Sequence, residues 1–175
     1  MTRPDKSPGS ARRIAYYASL TAIAFALSAA EALIPIPVPA PGVKLGLANV
    51  VTLIILLGGG NPAYALAVVA IRCTLAAFAS GAFSTLLFSL AGGLFSCIVM
   101  WFLLRFNFTF GIAGISVAGA LAHNVSQLAA AAAIARDLAV FGYLPALLIA
   151  GVAAGCATGF IAARVSAISK FMRKL

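Results

Sequence analysis

The stretch PAYALAVVAIRCTLAAFASGAFSTLLFSLAGGLFSCIVMWFLLR, residues 62–105, carries a single charge before its last residue, Arg72. It follows Gly58-Gly59-Gly60-Asn61 and is interrupted once, at Ser80-Gly81-Ala82. On each side of that interruption lie about 20 mostly apolar residues, the helical length needed to cross roughly 30 Å of hydrocarbon. The stretch therefore reads as two membrane-spanning helices, 62–80 and 83–104, joined by a tight turn.

Working outward, further apolar runs lie at about 14–34, 46–58, 111–134 and 142–164. The expectation is an all-α polytopic membrane protein built as a six-transmembrane-helix bundle. The second span is short, and Gly58-Gly59-Gly60-Asn61-Pro62 ends it sharply, because glycine and proline break the helix and favour a turn. Spans two and three then form a hairpin. Between spans one and two, Pro35-Ile36-Pro37-Val38-Pro39-Ala40-Pro41-Gly42-Val43-Lys44-Leu45 cannot be helical, since alternate prolines remove backbone donors and hold the chain near polyproline geometry. An extended, stiff loop is expected there. Arg136–Gly142 forms the other charged loop on the same face.

Composition agrees. With 63% hydrophobic and 9% charged residues and a mean hydropathy of +1.12, the chain lies outside the range of soluble domains. The net charge of +9 does not point to nucleic acid, because the basic residues collect at the ends of spans, where they meet anionic headgroups of the lipid bilayer. Nine of the twelve Lys and Arg fall in three places: Arg3, Lys6, Arg12 and Arg13; Arg105; and Arg164, Lys170, Arg173 and Lys174. With six spans all three clusters share one face, which the positive-inside rule makes cytoplasmic. The expected layout is a basic cytoplasmic tail over 1–13, a membrane domain over 14–164 and a second basic tail over 165–175, in the plasma membrane with both termini cytoplasmic. The first apolar run continues to about Ile34 and others follow it, so it reads as a retained span rather than a cleaved leader. Cys73, Cys97 and Cys156 sit in apolar stretches without metal-ligand or redox spacing and read as buried structural thiols.

Two ridges of small residues stand at intervals of four. Span one carries Ala18, Ala22, Ala26 and Ala30; the last span carries Gly151, Gly155 and Gly159. In lipid, hydrophobic burial does not drive helices together, so close backbone approach along such ridges supplies the contact energy. The glycine ridge is expected to pack within the bundle, and the alanine ridge to meet another subunit.

Three basic residues escape the cytoplasmic clusters: Lys44, Arg72 and Arg136. A charge midway along a span, as at Arg72, costs about 2.5–3.5 kcal/mol or more unless a cavity or partner compensates it. The chain has three acids, Asp5, Glu31 and Asp137, of which Glu31 is the intramolecular candidate. Otherwise Arg72 faces an anionic or carbonyl-bearing ligand. In span five His123 and Gln127 share a helix face and Asn124 is turned about 100° from them. Asn49 and Thr52 add hydrogen-bonding groups to one face of span two. Glu31, Lys44, Asn49, Thr52, Arg72, His123, Asn124 and Gln127 are accordingly the candidate ligand-binding residues, lining a cavity that opens outward beneath the proline-stiffened loop. One histidine cannot complete a metal site, so none is expected. There is no Gly-x-x-x-x-Gly-Lys-Ser/Thr phosphate loop and no aspartate-rich magnesium motif, so neither ATP hydrolysis nor prenyl transfer by this chain alone is expected. Ser80-Gly81-Ala82-Phe83-Ser84-Thr85 lacks the acidic residue and threonine spacing of a flavin-attachment motif. No catalytic residue and no cofactor are expected.

At Val43–Leu53, Phe88–Ser96 and Gly119–Gln127 the chain resembles the Gx transporter family, also catalogued as heptaprenyl diphosphate synthase component I, with a looser match over about 14–164. The family looks related to the substrate-binding S components of energy-coupling factor transporters. The resemblance implies a six-helix bundle with a ligand site near the outer face, closed by the loop after helix one, and an Ala-x-x-x-Ala ridge on helix one that meets a transmembrane coupling subunit. Ala18, Ala22, Ala26 and Ala30 stand in that place. The expected function is capture of a small-molecule substrate, a vitamin or flavin-like compound, for uptake driven by separate coupling and ATPase subunits. The alternative is a membrane subunit of a flavin- or quinone-linked electron-transfer assembly, or an accessory to prenyl diphosphate synthesis.

Overall fold

Asn61 and Pro62 show how the sequence starts a helix here. The Asn61 side chain accepts from the Ala63 N–H at 2.9 Å, satisfying a donor with no partner inside the helix, and Pro62 occupies the first helical position, where its missing N–H costs nothing. The computed structural model describes residues 10–33, 46–59, 61–81, 83–106 and 110–172. They form α1 (Ser10–Ala32), α2 (Asn49–Leu57), α3 (Pro62–Ser80), α4 (Ser84–Arg105), α5 (Ile112–Ala135) and α6 (Leu144–Met172), with a 3-10 helix (Leu138–Tyr143) leading into α6. No strand occurs among the described residues. The protein is an all-helical bundle.

Among the described residues five helices are long and apolar enough to cross a membrane; α2 is not one of them. Its nine residues rise only about 13 Å. The run 46–58 thus yields a shorter helix than expected, because Gly46, Leu47 and Ala48 are spent in a turn and Gly58 and Gly59 end it. What α2 lacks in length it makes up in burial. Seven of its nine residues are buried, and it touches all five other α-helices. Leu53, Val51, Ile55 and Leu56 place the core of the bundle around it, with Val69, Cys73, Met100 and Ala162 packed alongside.

In the five long helices only 22–39% of each apolar window is buried within the chain. Ile23, Ile71, Phe78, Phe95, Phe102, Ile149 and Phe160 point outward. An exterior so apolar suits hydrocarbon and would be insoluble in water.

Contacts fix the helix directions. Tyr64 of α3 stacks on Tyr17 of α1, and farther along both helices Arg72 bonds Ser28, so α1 and α3 run parallel and α2 returns between them. The α3–α4 turn is ended by Gly81 at φ +65°, a left-handed conformation that glycine adopts without a Cβ clash. Helix α5 runs antiparallel to α4, and α6 antiparallel to α5 along the glycine ridge. A Cβ on Gly155 or Gly159 would lie 2.6 Å from Val117 Cα and 2.7 Å from Ala113 Cα, so this ridge is an internal seam where backbones touch. Ser116 and Thr158 hydroxyls bond across it at 2.8 Å. The alanine ridge does the opposite: Ala18, Ala22, Ala26 and Ala30 are all exposed, while Thr21, Ala24, Ser28 and Glu31 form the buried stripe of α1. Cys73 and Cys97 are buried as expected; Cys156 is exposed, which corrects its reading as buried.

Candidate functional site

Arg72 is 4% exposed and sits at the junction of four helices. Its guanidinium donates to Ser28 Oγ on α1 at 3.0 Å and to Asn49 Oδ1 on α2 at 3.1 Å; Asn49 Nδ2 passes the chain on to Ser96 Oγ on α4 at 3.2 Å. The cation is held by neutral oxygens, and its Nε, also buried, has no hydrogen-bond partner among the described residues. A guanidinium offers five donors, so this cradle leaves part of its hydrogen-bonding capacity unspent. Buried charge without full pairing is costly.

Glu31 does not take the place expected of it as the partner of Arg72. Its carboxylate accepts from the backbone N–H of Gly46 at 2.6 Å and of Leu47 at 3.2 Å, at the turn that enters α2. The reason is local: N–H groups at a helix start lack acceptors and carry the positive end of the helix dipole, so a nearby carboxylate settles there. Gly46, at φ +81°, is required by that turn; a Cβ on it would also come within 2.9 Å of Asn49 Nδ2.

His123 of α5 closes the cluster. A Cβ on Gly92 of α4 would meet its ring at 2.8–2.9 Å, and one on Gly46 would lie 3.4 Å from it. Next along α4, a Cβ on Gly93 would lie 3.1 Å from Arg72 Nη2 and 2.7 Å from Val69. Gly92-Gly93 thus lets the imidazole and the guanidinium each lie against α4, at consecutive positions of that helix.

The structure brings Glu31, Asn49, Arg72 and His123 together. Thr52 is buried on α2 with its Oγ1 unpartnered among the described residues, and Gln127 is buried one turn beyond His123. Asn124 belongs elsewhere: its Nδ2 donates to Leu147 O at 2.7 Å and fills the space over Gly151, fastening α5 to α6. Lys44 and the proline-rich loop lie outside the described residues. Ser28, Ser96, Gly46, Gly92 and Gly93 complete the cluster and were missed as site residues. A serine in a helix commonly bonds its own backbone, as Ser19 and Ser126 do here, so its sequence gives no sign of an interhelical role. The Gly-Gly pair in a long apolar run was the available signal.

Relative to the ends of the helices the cluster is recessed. Arg72 is eight residues from the end of α3, Gly93 nine from the start of α4 and His123 twelve from the end of α5, all toward the α3–α4 turn. At 1.5 Å per residue these helices rise about 12–18 Å above it. Helix α2 begins at the level of Arg72, so it does not fill that height.

A model of the family described as heptaprenyl diphosphate synthase component I matches residues 20–165, which include every element of the cluster. No curated protein and no solved structure matches the chain.

Proposed function

The chain belongs to the heptaprenyl diphosphate synthase component I family, and we propose that within it this protein captures a small anionic or carbonyl-bearing molecule for uptake, as the substrate-binding subunit of an energy-coupling factor type transporter. The observation that carries the reading is Arg72, a buried cation whose Nε has no hydrogen-bond partner among the described residues, cradled by neutral groups below the level of three helix ends. A ligand oxygen would complete the guanidinium's hydrogen bonds, and His123 and Asn49 flank it. Lys44 lies two residues before Gly46, at the end of the segment joining α1 to α2, and is assigned to the same ligand. With the basic termini on the cytoplasmic side, the recess opens to the outside.

Energy would come from separate coupling and ATPase subunits. The exposed Ala18, Ala22, Ala26 and Ala30 face supports a partner helix there, since small residues let backbones approach closely in lipid. The test is native mass spectrometry of the full chain gently extracted from its own membranes. A copurifying water-soluble metabolite is expected, and Arg72→Ala should weaken its retention by about 10- to 100-fold, the worth of a hydrogen bond to a charged group. Arg72→Lys should restore it in part. Unchanged retention in a folded Arg72→Ala protein would sink the assignment.

The family description favours a second reading, a non-catalytic membrane partner of a prenyl diphosphate synthase. Copurification of a soluble synthase, with no bound metabolite, would move the assignment there.

A further inference from the structure

A second feature lies along the α1–α3 face, running from near the start of both helices to the level of Ile71, the residue before Arg72. Between α1 and α3, near where both begin, an open cavity of about 380 Å³ is lined by Arg13, Ile14, Tyr17, Ala18, Thr21, Tyr64, Ala67, Val68 and Ile71. Its walls are almost wholly apolar, and its one charged group stands at one end. Arg13 donates to Tyr64 Oη at 2.5 Å, its guanidinium lies 5.3 Å from the Tyr64 ring centroid, and that ring stacks on Tyr17 at 4.7 Å. Ring contact and hydrogen bond together pose the cation at the mouth of the groove while leaving most of its five donors unused. Arg12, also exposed, is beside it.

From these features we infer that the groove holds one acyl chain of an anionic phospholipid, drawn from the leaflet at which α1 and α3 begin, with its phosphate on Arg12 and Arg13. Dimensions support the occupant. From Arg13 to Thr21 the groove follows eight residues of α1, about 12 Å, most of the roughly 15 Å depth of one leaflet's hydrocarbon. Open along its side, the groove offers a continuous apolar floor between α1 and α3 that a single polymethylene chain can follow. Charge selects the headgroup: two arginines at the membrane surface attract phosphate and gain most from a lipid without a compensating ammonium. Ile14 and Ile71, exposed at the rim, leave the slot open sideways to the bilayer.

The experiment uses the full-length protein in mixed vesicles of phosphatidylglycerol and phosphatidylcholine, followed by extraction and native mass spectrometry. Phosphatidylglycerol should be retained over phosphatidylcholine by about fivefold or more. Arg12→Gln combined with Arg13→Gln should bring the ratio near one, and Ala67→Phe, which fills the slot, should lower retention of both lipids about tenfold. Ala67→Leu provides a milder filling should the larger side chain impair folding, which circular dichroism monitors. Equal retention of the two lipids by the unmodified protein overturns the inference. So does full retention in a folded slot-filled variant, or displacement of the lipid by inorganic phosphate alone, since either shows that no chain lies in the groove. Occupation by a copurified polypeptide overturns it as well.

Discussion

The two ridges of small residues share a spacing and have opposite fates. Gly155 and Gly159 press α6 onto the α5 backbone so closely that no Cβ fits at either, and Gly151 makes room for the Asn124 side chain, whereas Ala18, Ala22, Ala26 and Ala30 are exposed on a helix that touches only α2 and α3 among the described elements. The difference teaches that a four-residue repeat in a membrane helix specifies a surface that can be approached, and says nothing of who approaches it. Glycine permits the closest contact, and here the approaching surface is the chain's own α5. Alanine keeps a methyl group that packs well against a second helix and tolerates lipid when none is present.

The sharpest break in that comparison is Gly155→Leu. The new side chain meets backbone at Val117, which cannot rotate away, so the seam must open; a loss of about 3 kcal/mol or more, with failure to yield a monodisperse protein, is expected in thermal unfolding in detergent. A smaller effect is expected from Asn124→Ala, which removes the hydrogen bond to Leu147 O across the same seam. About 1 kcal/mol should be lost in the same assay, the net worth of one buried interhelical hydrogen bond. The smallest is Ala22→Leu on the exposed ridge. Stability should change by less than about 0.5 kcal/mol, as for a surface site. If the proposed coupling subunit docks on this face, its copurification should be abolished by the same substitution. An Ala22→Leu protein that unfolds like Gly155→Leu would show that the alanine face packs on the chain itself and would remove the partner surface.

Much of the fold was legible because each of its signals is local. The run 61–105 contains its own start, interruption and end: Asn61 caps, Pro62 opens, Gly81 turns and Arg105 closes the second helix, and no distant residue is needed to read them. Helix α2 was less legible. Its apolar run has the composition of a span, and only the turn at Gly46–Ala48, fixed by a carboxylate fifteen residues earlier in the chain, shows where the helix begins. The candidate site divides in the same way. Arg72 and His123 stood out because charge and imidazole are expensive in hydrocarbon whatever surrounds them. Ser28 and Ser96 did not, because a hydroxyl that can bond its own helix carries no penalty that would mark it.

From the sequence alone it follows that the chain is a helical membrane bundle, that the run 62–105 divides into two helices at Gly81, and that Arg72 must be compensated, since these rest on hydropathy, backbone chemistry and the cost of burying charge. Tertiary structure alone decided that Glu31 turns to the start of α2 and leaves Arg72 to neutral oxygens, that Asn124 fastens α5 to α6 instead of joining the cluster, and that one small-residue ridge is a seam and the other a free face. Each of those depends on which helix stands opposite, and the distance between groups remote in sequence is set only when the bundle packs.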